Sequence, residues 1–174
     1  MKTSTCEWRK AHYSPIIRIM DRPNPTDASA ALVASTPPLA TEETVRTRFA
    51  ASGIGCTSQR LLVGQVLFAR EQHVSADRLL AMVVAAGARV SKATVYNTLN
   101  LFADHGLVRA LQLDGDHTVF DSNTAPHHHL YDEQSGELCD VAVDEVAFAK
   151  LPQLPSGTEL TGLDVVLRVR RRTP

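Results

Sequence analysis

Apolar residues recur at helical spacing in four segments between residues 41 and 106. A serine or threonine precedes each segment, and such residues cap helices because their side-chain oxygen accepts an unpaired backbone N–H. The predicted caps are, in chain order, Thr41, Ser58, Ser75 and Ser91. Glycines are predicted to end the first, third and fourth helices, at Gly53, Gly87 and Gly106. The third helix is predicted to bury Leu79, Leu80, Val83 and Val84.

The fourth helix separates most clearly into two faces at 100° per residue. One face is predicted to be buried and carries Val95, Thr98, Leu99 and Phe102. The opposite face carries Lys92, Tyr96, Asn97 and Asn100. Polar side chains of these types reach phosphates and base edges in the major groove, although many polar helix faces are merely solvated.

Two short runs of residues follow this helix, at 107–113 and 117–120, and flank Asp114-Gly115-Asp116. A D-G turn between such runs predicts a β-hairpin. The order is three helices, then a capped helix of the kind that enters the major groove, then a β-hairpin. This order predicts a winged helix-turn-helix domain over residues 41–121.

Residues 122–174 form a second predicted domain, of α/β type, so the fold class is α+β. Strands are predicted over 136–143 and over 163–170, where apolar and polar residues alternate, and a short helix over 144–150. So few elements bury too little surface alone, which predicts pairing with a second copy. The terminal Arg168, Arg170, Arg171 and Arg172 are read as a solvated strand edge or as phosphate contacts.

The ends of the chain and its composition narrow the class of protein. Five prolines break up residues 1–40, which are predicted to be a disordered extension. The three cysteines are far apart, so a disulfide framework is not expected. No apolar run reaches the ~18–20 residues that span a bilayer, and no secretory signal is recognisable, so a cytoplasmic protein without a membrane partner is predicted. The net charge of −1 gives no sign of nucleic-acid binding.

The most distinctive stretch has three consecutive histidines, His127, His128 and His129, between Asp121 and Asp140. Imidazole and carboxylate are common metal ligands, although a histidine-rich surface loop is the plainer interpretation. In an extended segment His127 and His129 would point one way and His128 the other. The sequence therefore indicates a metal or haem site with His127 and His129 as the natural pair.

Several motifs together resemble the ferric uptake regulator (Fur) family, and within it the iron response regulator (Irr) branch. They are the runs at 57–60 (TSQR), 73–77 (HVSAD) and 91–99 (SKATVYNTL), the histidine triplet and the final segment from Leu151. The resemblance covers roughly residues 45–172 and implies a dimeric transcription factor with a winged-helix domain and an α/β dimerisation domain. It implies a repressor of iron or haem homeostasis genes that binds a palindromic, AT-rich duplex, and not an enzyme.

The resemblance also implies roles for individual residues. The regulatory metal site would comprise His73, Asp121, His127, His129 and Asp140. The contacts to double-stranded DNA would come from Arg60, Lys92, Thr94, Tyr96, Asn97 and Asn100. Many relatives have Arg where this chain has Asn97, which leaves the base preference open because Asn pairs with adenine and Arg favours guanine.

Departures from the family pattern bear on the cofactor. Most relatives hold a structural zinc with two C-x-x-C pairs, whereas Asp132 and Ser135 occupy the first pair's places here and the second pair is missing. A structural zinc held by four cysteines is therefore not expected. The Irr branch senses haem, which makes His127, His128 and His129 candidate haem ligands. The other expected ligand is a divalent transition metal, Fe²⁺ or Mn²⁺ and, less in keeping with the pattern, Zn²⁺.

Two alternatives remain open beside the haem- or iron-responsive repressor. One is a peroxide- or metal(II)-responsive Fur-type repressor that uses the metal as corepressor, since some relatives with Asp at both carboxylate positions sense peroxide. The more remote one is a metalloenzyme with two histidines and a carboxylate, which could activate water or oxygen at an open position.

Overall fold

The computed structural model describes residues 38–113 and 118–170. These residues divide into two compact units, 38–124 and 125–170. Most of the predicted extension at 1–40, the predicted turn at 114–116 and the terminal Arg171 and Arg172 lie outside the described residues. Within the described ranges, no helix combines the length and the apolar character needed to cross a membrane.

Four helices build the N-terminal unit: α1 (Glu42–Ala51), α2 (Ser58–Leu67), α3 (Ala76–Ala85) and α4 (Lys92–Asp104). Thr41, Ser75 and Ser91 cap α1, α3 and α4, which confirms three of the four predicted caps. The cap predicted at Ser58 was wrong. Thr57 is the extended residue before α2 and its hydroxyl accepts the Arg60 N–H at 3.3 Å, whereas Ser58 is already helical.

The N-terminal unit also contains a three-stranded sheet. One of its strands comes before α3 in the chain, and the other two follow α4. The predicted hairpin is present as β2 (Arg109–Gln112) and β3 (Thr118–Asp121), paired antiparallel. A third strand, β1 (His73–Val74), pairs with the other edge of β3 and was not predicted, because two residues show no periodicity. The helices and this hairpin form the predicted winged helix-turn-helix.

The core of the N-terminal unit lies between the four helices and the sheet. Phe102 of α4 is central, with the ring centroids of Phe49 and Phe68 at 5.3 and 5.4 Å. The predicted burial of α3 was only partly right, because Leu79 and Val83 are fully buried, Leu80 is half-buried and Val84 is 52% exposed. Val84 lies one residue, or 100°, beyond Val83, which turns it out of the packed face.

The C-terminal unit is built on a second three-stranded sheet. Its central strand β4 (His128–Asp132) pairs antiparallel with β5 (Leu138–Val141) and parallel with β6 (Val166–Val169). The two predicted strands are therefore present, in shortened form, as β5 and β6. The histidine triplet enters the central strand, so the extended conformation considered for it is confirmed.

A hydrogen-bonded turn joins β4 to β5 at the position where relatives are expected to carry C-x-x-C. The buried Asp132 carboxylate accepts the N–H groups of Gln134 at 2.8 Å and Ser135 at 3.3 Å. Ser135 Oγ in turn accepts the Glu137 N–H at 3.2 Å. Asp132 and Ser135 thus close the hairpin by accepting hydrogen bonds from backbone N–H groups.

The helix predicted over 144–150 was wrong. Only one 3₁₀ turn, Val143–Glu145, forms there. Isolated helices shorter than about 12–15 residues are marginal in water unless an apolar face packs against something. Here the apolar side chains Val143 and Phe148 are 50% and 45% exposed, so no packing stabilises a longer helix.

The terminal arginines that the structure describes are paired within the chain. Arg170 donates to Glu133 Oε2 from Nη2 at 3.0 Å, and the Arg168 guanidinium lies 5.6 Å from the centroid of the Tyr131 ring. These contacts support the strand-edge interpretation for both residues. Cys139 on β5 is buried and disulfide-bonded, although the sequence predicted no disulfide framework.

Substituting Gly64 tests the close packing of α1 on α2. A Cβ added at Gly64 would lie 2.7 Å from Val45 Cγ1 and 3.1 Å from Phe49 Cζ. Alanine gains about 1 kcal/mol of helix propensity, but overpacking costs about 1–3 kcal/mol, so we expect Gly64→Ala to lower the unfolding free energy. Urea denaturation followed by circular dichroism measures it.

Gly55→Ala is the matched control, because its added Cβ would meet only Arg60 Nη1, at 3.8 Å. This substitution should change the unfolding free energy by no more than about 0.5 kcal/mol. A Gly64→Ala protein as stable as the parent would show that α1 and α2 do not pack this closely.

Candidate functional site

Two of the three consecutive histidines converge on one side of β4. His127 Nε2 and His129 Nε2 lie 3.0 Å apart, and the ring centroids are separated by 4.5 Å. His128 points to the other side, where its ring meets the ring of Phe148 edge-on at 6.3 Å. All three are buried, with exposed fractions of 6%, 3% and 0% from His127 to His129. The strand alternation expected from the sequence therefore separates His128 from the pair.

The tautomer of His127 follows from one contact. His127 Nδ1 lies 2.7 Å from the backbone oxygen of Ala125. A carbonyl oxygen only accepts hydrogen bonds, so Nδ1 must carry the proton and donate it. In the neutral ring Nε2 then keeps its lone pair, which is the form of imidazole that binds metals.

Asp140 completes the cluster in the C-terminal unit. It lies directly opposite His129 in the β4–β5 pairing, and its Oδ1 is 3.8 Å from His127 Nε2. One ligand atom from each of His127, His129 and Asp140 lies within 4.8 Å of the others. The Asp140 side chain is 15% exposed, so the group is largely shielded from water.

The geometry of this cluster fits a divalent ion. Two imidazole nitrogens bound at about 2.1 Å and at a right angle lie about 3.0 Å apart, and at a tetrahedral angle about 3.4 Å apart. The observed separation of 3.0 Å between the two Nε2 atoms lies within this range, so both could bind one ion. Two imidazoles and a carboxylate suit manganese, iron and zinc.

The N-terminal unit carries a second histidine–aspartate pair. His73 lies opposite Asp121 in the β1–β3 pairing, with His73 Nε2 3.7 Å from Asp121 Oδ2. The Asp121 side chain is fully buried, and its Oδ1 accepts the Asn123 N–H at 2.8 Å. His73 belongs to β1, and α3 starts only at Ala76. Of the five predicted metal ligands, His73 and Asp121 thus belong to the N-terminal unit, and His127, His129 and Asp140 belong to the C-terminal unit.

Helix α4 presents the predicted polar face to solvent. Lys92, Tyr96, Asn97 and Asn100 are exposed, whereas Val95, Thr98, Leu99 and Phe102 are buried, as the helical spacing predicted. Tyr96 is 45% exposed. Lys92 Nζ lies 2.7 Å from Asp77 Oδ1 of α3, a solvent-exposed pair of the kind that contributes at most about 1 kcal/mol.

The other two predicted DNA-contacting residues are engaged within the unit. The Thr94 hydroxyl lies 2.9 Å from Ser91 Oγ, and the Thr94 N–H donates to that same oxygen. Arg60 Nη1 donates to the backbone oxygen of Gly55. Both residues are half-buried, so their side chains are less available to a partner than the four exposed on α4.

Sequence reasoning missed two buried polar residues that adjoin the pair in the N-terminal unit. Gln72 precedes His73 and is 3% exposed, and Ser122 follows Asp121 and is 8% exposed. The only sequence signal was a polar residue next to each candidate ligand. That signal is weak, because glutamine and serine are usually exposed.

Comparison with known proteins identifies relatives over most of the chain. The model of the Ferric uptake regulator family matches residues 51–165. The peroxide-responsive repressor PerR of Staphylococcus aureus is 34% identical over 89 residues, which are 51% of this chain and 60% of that protein. The aligned part of the chain therefore spans only 60% of the length of this curated relative.

Solved structures match a larger share of this chain than the curated relative does. The ferric uptake regulator from Pseudomonas aeruginosa with manganese is 28% identical, with a TM-score of 0.59 over 74% of this chain and 98% of that one. The Vibrio cholerae ferric uptake regulator is 27% identical, with a TM-score of 0.57 over 72% of this chain and 98% of that one.

Replacing His127 tests the candidate ligand group. We expect His127→Ala to weaken Mn(II) binding at least about 10-fold, because it removes a ligand whose lone pair is held in place by Ala125. Titration of the metal-free protein with Mn(II), followed by electron paramagnetic resonance, measures the affinity.

The control is His105→Ala. His105 Nδ1 makes a matching contact with a backbone oxygen, that of Ser52 at 2.7 Å, but His105 is exposed at the end of α4. His105→Ala should bind Mn(II) like the parent protein. Equal losses in the two variants would show that His127 is not a ligand.

Proposed function

The chain belongs to the ferric uptake regulator family, and we propose that it is a dimeric transcriptional repressor whose DNA binding is controlled by a divalent metal. The observation that carries this proposal is the convergence of the His127 and His129 Nε2 atoms, 3.0 Å apart, beside Asp140. The resemblance to the Irr branch favours iron homeostasis genes as targets. We further propose a cytoplasmic location, where such genes are read, and a regulatory rather than an enzymatic role.

We propose that His73 and Asp121 join the three ligands of the C-terminal unit around one ion. Both groups have the same chemistry, a histidine opposite an aspartate on neighbouring antiparallel strands. When bound, the ion would supply a positive charge that attracts the imidazole nitrogens and the carboxylates of both groups. Ligands drawn from two units would favour one arrangement of those units over others, and a difference in affinity between arrangements suffices to shift their populations.

The exposed face of α4 supports DNA as the partner. Tyr96, Asn97 and Asn100 lie on it with Lys92, and a helix of this kind fits the major groove. Asn97 can pair with adenine through two hydrogen bonds, which agrees with an AT-rich palindrome. Phosphate contacts would come from Lys92 and, if it leaves Gly55, from Arg60.

A second copy of this chain is the partner that the C-terminal unit needs. Seven of the large apolar side chains exposed in the described residues fall between residues 143 and 167, each 40–52% exposed: Val143, Phe148, Leu151, Leu154, Leu160, Leu163 and Leu167. Exposed apolar residues at this density mark an interaction surface. A homodimer would cover this segment and would present two α4 helices to a palindrome.

We favour a divalent ion over haem as the ligand. An axial haem ligand needs an open approach for a large planar group, whereas His127, His128 and His129 are at most 6% exposed. His128 also faces away from the other two, so the three cannot serve one iron together. A solved relative agrees with this choice, because the structure of the ferric uptake regulator from Pseudomonas aeruginosa was determined with manganese.

Peroxide sensing is the second candidate function. The relative from Staphylococcus aureus is named as a peroxide-responsive repressor. The proposed ligand group also has aspartate at both carboxylate positions, Asp121 and Asp140, as do relatives that sense peroxide. If His73, His127 and His129 held Fe(II) with the two aspartates, added peroxide would transfer one oxygen atom to a neighbouring histidine ring and its other oxygen would leave as water. Oxidation of that histidine would remove a ligand and so release the DNA.

A gel shift at fixed salt tests the repressor function. We expect a specific, Mn(II)-dependent shift of an AT-rich palindrome, and Tyr96→Ala should weaken it about 10-fold or more, because a base contact is worth about 1–3 kcal/mol. Sedimentation of the same samples should give a dimer.

Val84→Ala is the control, because it removes an exposed side chain from α3 of the same unit. It should bind DNA like the parent. A protein that gives no specific shift with Mn(II), Fe(II) or haem, or without any of them, is not a DNA-binding repressor. A shift released by haem alone would restore the haem alternative.

Mass spectrometry tests the peroxide alternative. After the Fe(II)-loaded protein is treated with peroxide, we expect a gain of about 16 Da on a peptide containing His73 or His127, the oxidation product expected beside a redox-active iron. The Mn(II)-loaded protein should show no gain. Unmodified histidines after loss of DNA binding would exclude this mechanism.

A further inference from the structure

Gln72 links the end of α2 to the strand that carries His73. Its side-chain amide donates to the backbone oxygens of Val66 at 3.0 Å and Leu67 at 2.7 Å. These carbonyls belong to the last turn of α2, which has no helical partners for them. Gln72 is only 3% exposed, so its amide is held where water cannot compete.

Ser122 continues the same connection on the opposite strand. The Gln72 N–H donates to Ser122 Oγ at 2.9 Å, and the Ser122 N–H donates to the Gln72 carbonyl at 3.1 Å. The Ser122 hydroxyl proton has the carbonyl oxygens of Arg70 and Gln72 as acceptors, both at 3.3 Å. Ser122 is thereby hydrogen-bonded to the segment 70–72 through both its backbone N–H and its hydroxyl.

These contacts matter because the strand pairing beside them is minimal. β1 and β3 share only two residue pairs, His73 with Asp121 and Val74 with Phe120. A slip of one residue in such a pairing turns every side chain to the other face of the sheet. His73 would then leave Asp121, and the ligand pair of the N-terminal unit would be lost.

We propose that Gln72 and Ser122 are positioning residues that set the register of β1 on β3 and so hold His73 against Asp121 for the metal. The proposal rests on the proposed function, because it concerns two of the five ligands named there. Gln72 fixes the strand to a helix end buried in the core, and Ser122 fixes its neighbour strand to Gln72. Loss of partners that orient metal ligands typically lowers metal affinity about 10- to 100-fold.

Ser122→Ala is the primary variant, because it removes the hydroxyl without disturbing the bonds between Gln72 and α2. We expect it to weaken Mn(II) binding about 10- to 100-fold and to change the visible absorption of the Co(II)-loaded protein, which reports the ligand geometry. Ser122→Thr restores the hydroxyl and should recover both the affinity and the spectrum.

Gln65→Ala is the matched control. Like Ser122, Gln65 donates from its side chain to a backbone oxygen, but to that of Ala40, at 3.2 Å, and not to the segment 70–72 beside His73. It should lose stability comparably, as measured by thermal unfolding of the metal-free protein, yet bind Mn(II) and absorb with Co(II) like the parent.

The outcomes separate this inference from the function on which it rests. If His73→Ala binds Mn(II) as tightly as the parent, the proposed ligand set is wrong and the inference falls with it. If His73→Ala is weakened but Ser122→Ala binds like the parent, or no more weakly than Gln65→Ala, only the positioning role is overturned. Failure of Ser122→Thr to recover the spectrum would also overturn that role.

Discussion

A cross-strand pairing of histidine with aspartate recurs in both units, and the candidate site depends on it. His73 faces Asp121 on β1 and β3, and His129 faces Asp140 on β4 and β5. Residues directly opposite in an antiparallel pair have Cβ atoms about 4.5–5.5 Å apart, close enough for two side chains to bind one ion. The backbone hydrogen bonds of each small sheet therefore bring one histidine and one aspartate together within that unit.

The two pairings are stabilised by different means. In the C-terminal unit the Asp132 carboxylate closes the β4–β5 hairpin by accepting two backbone N–H groups, and this fixes which residue of β5 lies opposite His129. In the N-terminal unit β3 is clamped between β2 and β1, and its Val119 and Phe120 are buried. There the four residue pairs between β2 and β3 fix the position of β3, which carries Asp121. β1 makes only two residue pairs with β3, so its register depends on contacts other than strand pairing.

The sequence predicted the elements whose signal is local. Ser75 and Ser91 cap their helices, and the 100° spacing on α4 correctly separated Val95 and Phe102 from Tyr96 and Asn97. The alternation of a strand likewise separated His128 from His127 and His129. In each case a short stretch of chain carries enough information, because caps and faces depend on neighbours within a few residues.

What the sequence could not predict depends on residues distant in the chain. β1 exists only because Asp121 and Phe120, almost 50 residues later, supply its partners. The roles of Gln72 and Ser122 are hidden for the same reason, and so is the exposure of Val84, which depends on where α3 meets its neighbours. The helix predicted over 144–150 failed because helical propensity in a short segment needs a surface to pack on.

The short tether between the two ligand groups bears on how they could act together. Asp121 ends β3 and His127 precedes β4, so only five residues separate them along the chain. Six residue steps span at most about 20 Å when fully extended. If the two groups share one ion as proposed, so short a chain would give each group a high effective concentration at the other and would strengthen binding without any new contact. Within this segment Ser122 is hydrogen-bonded to Gln72, and Ala125 is hydrogen-bonded to His127. A change in the arrangement of the two groups must therefore use the backbone torsion angles of the few remaining residues. Under the proposed function, a change in the proposed ligands would be transmitted through very little backbone to the proposed DNA-binding unit, as coupling between two sites requires.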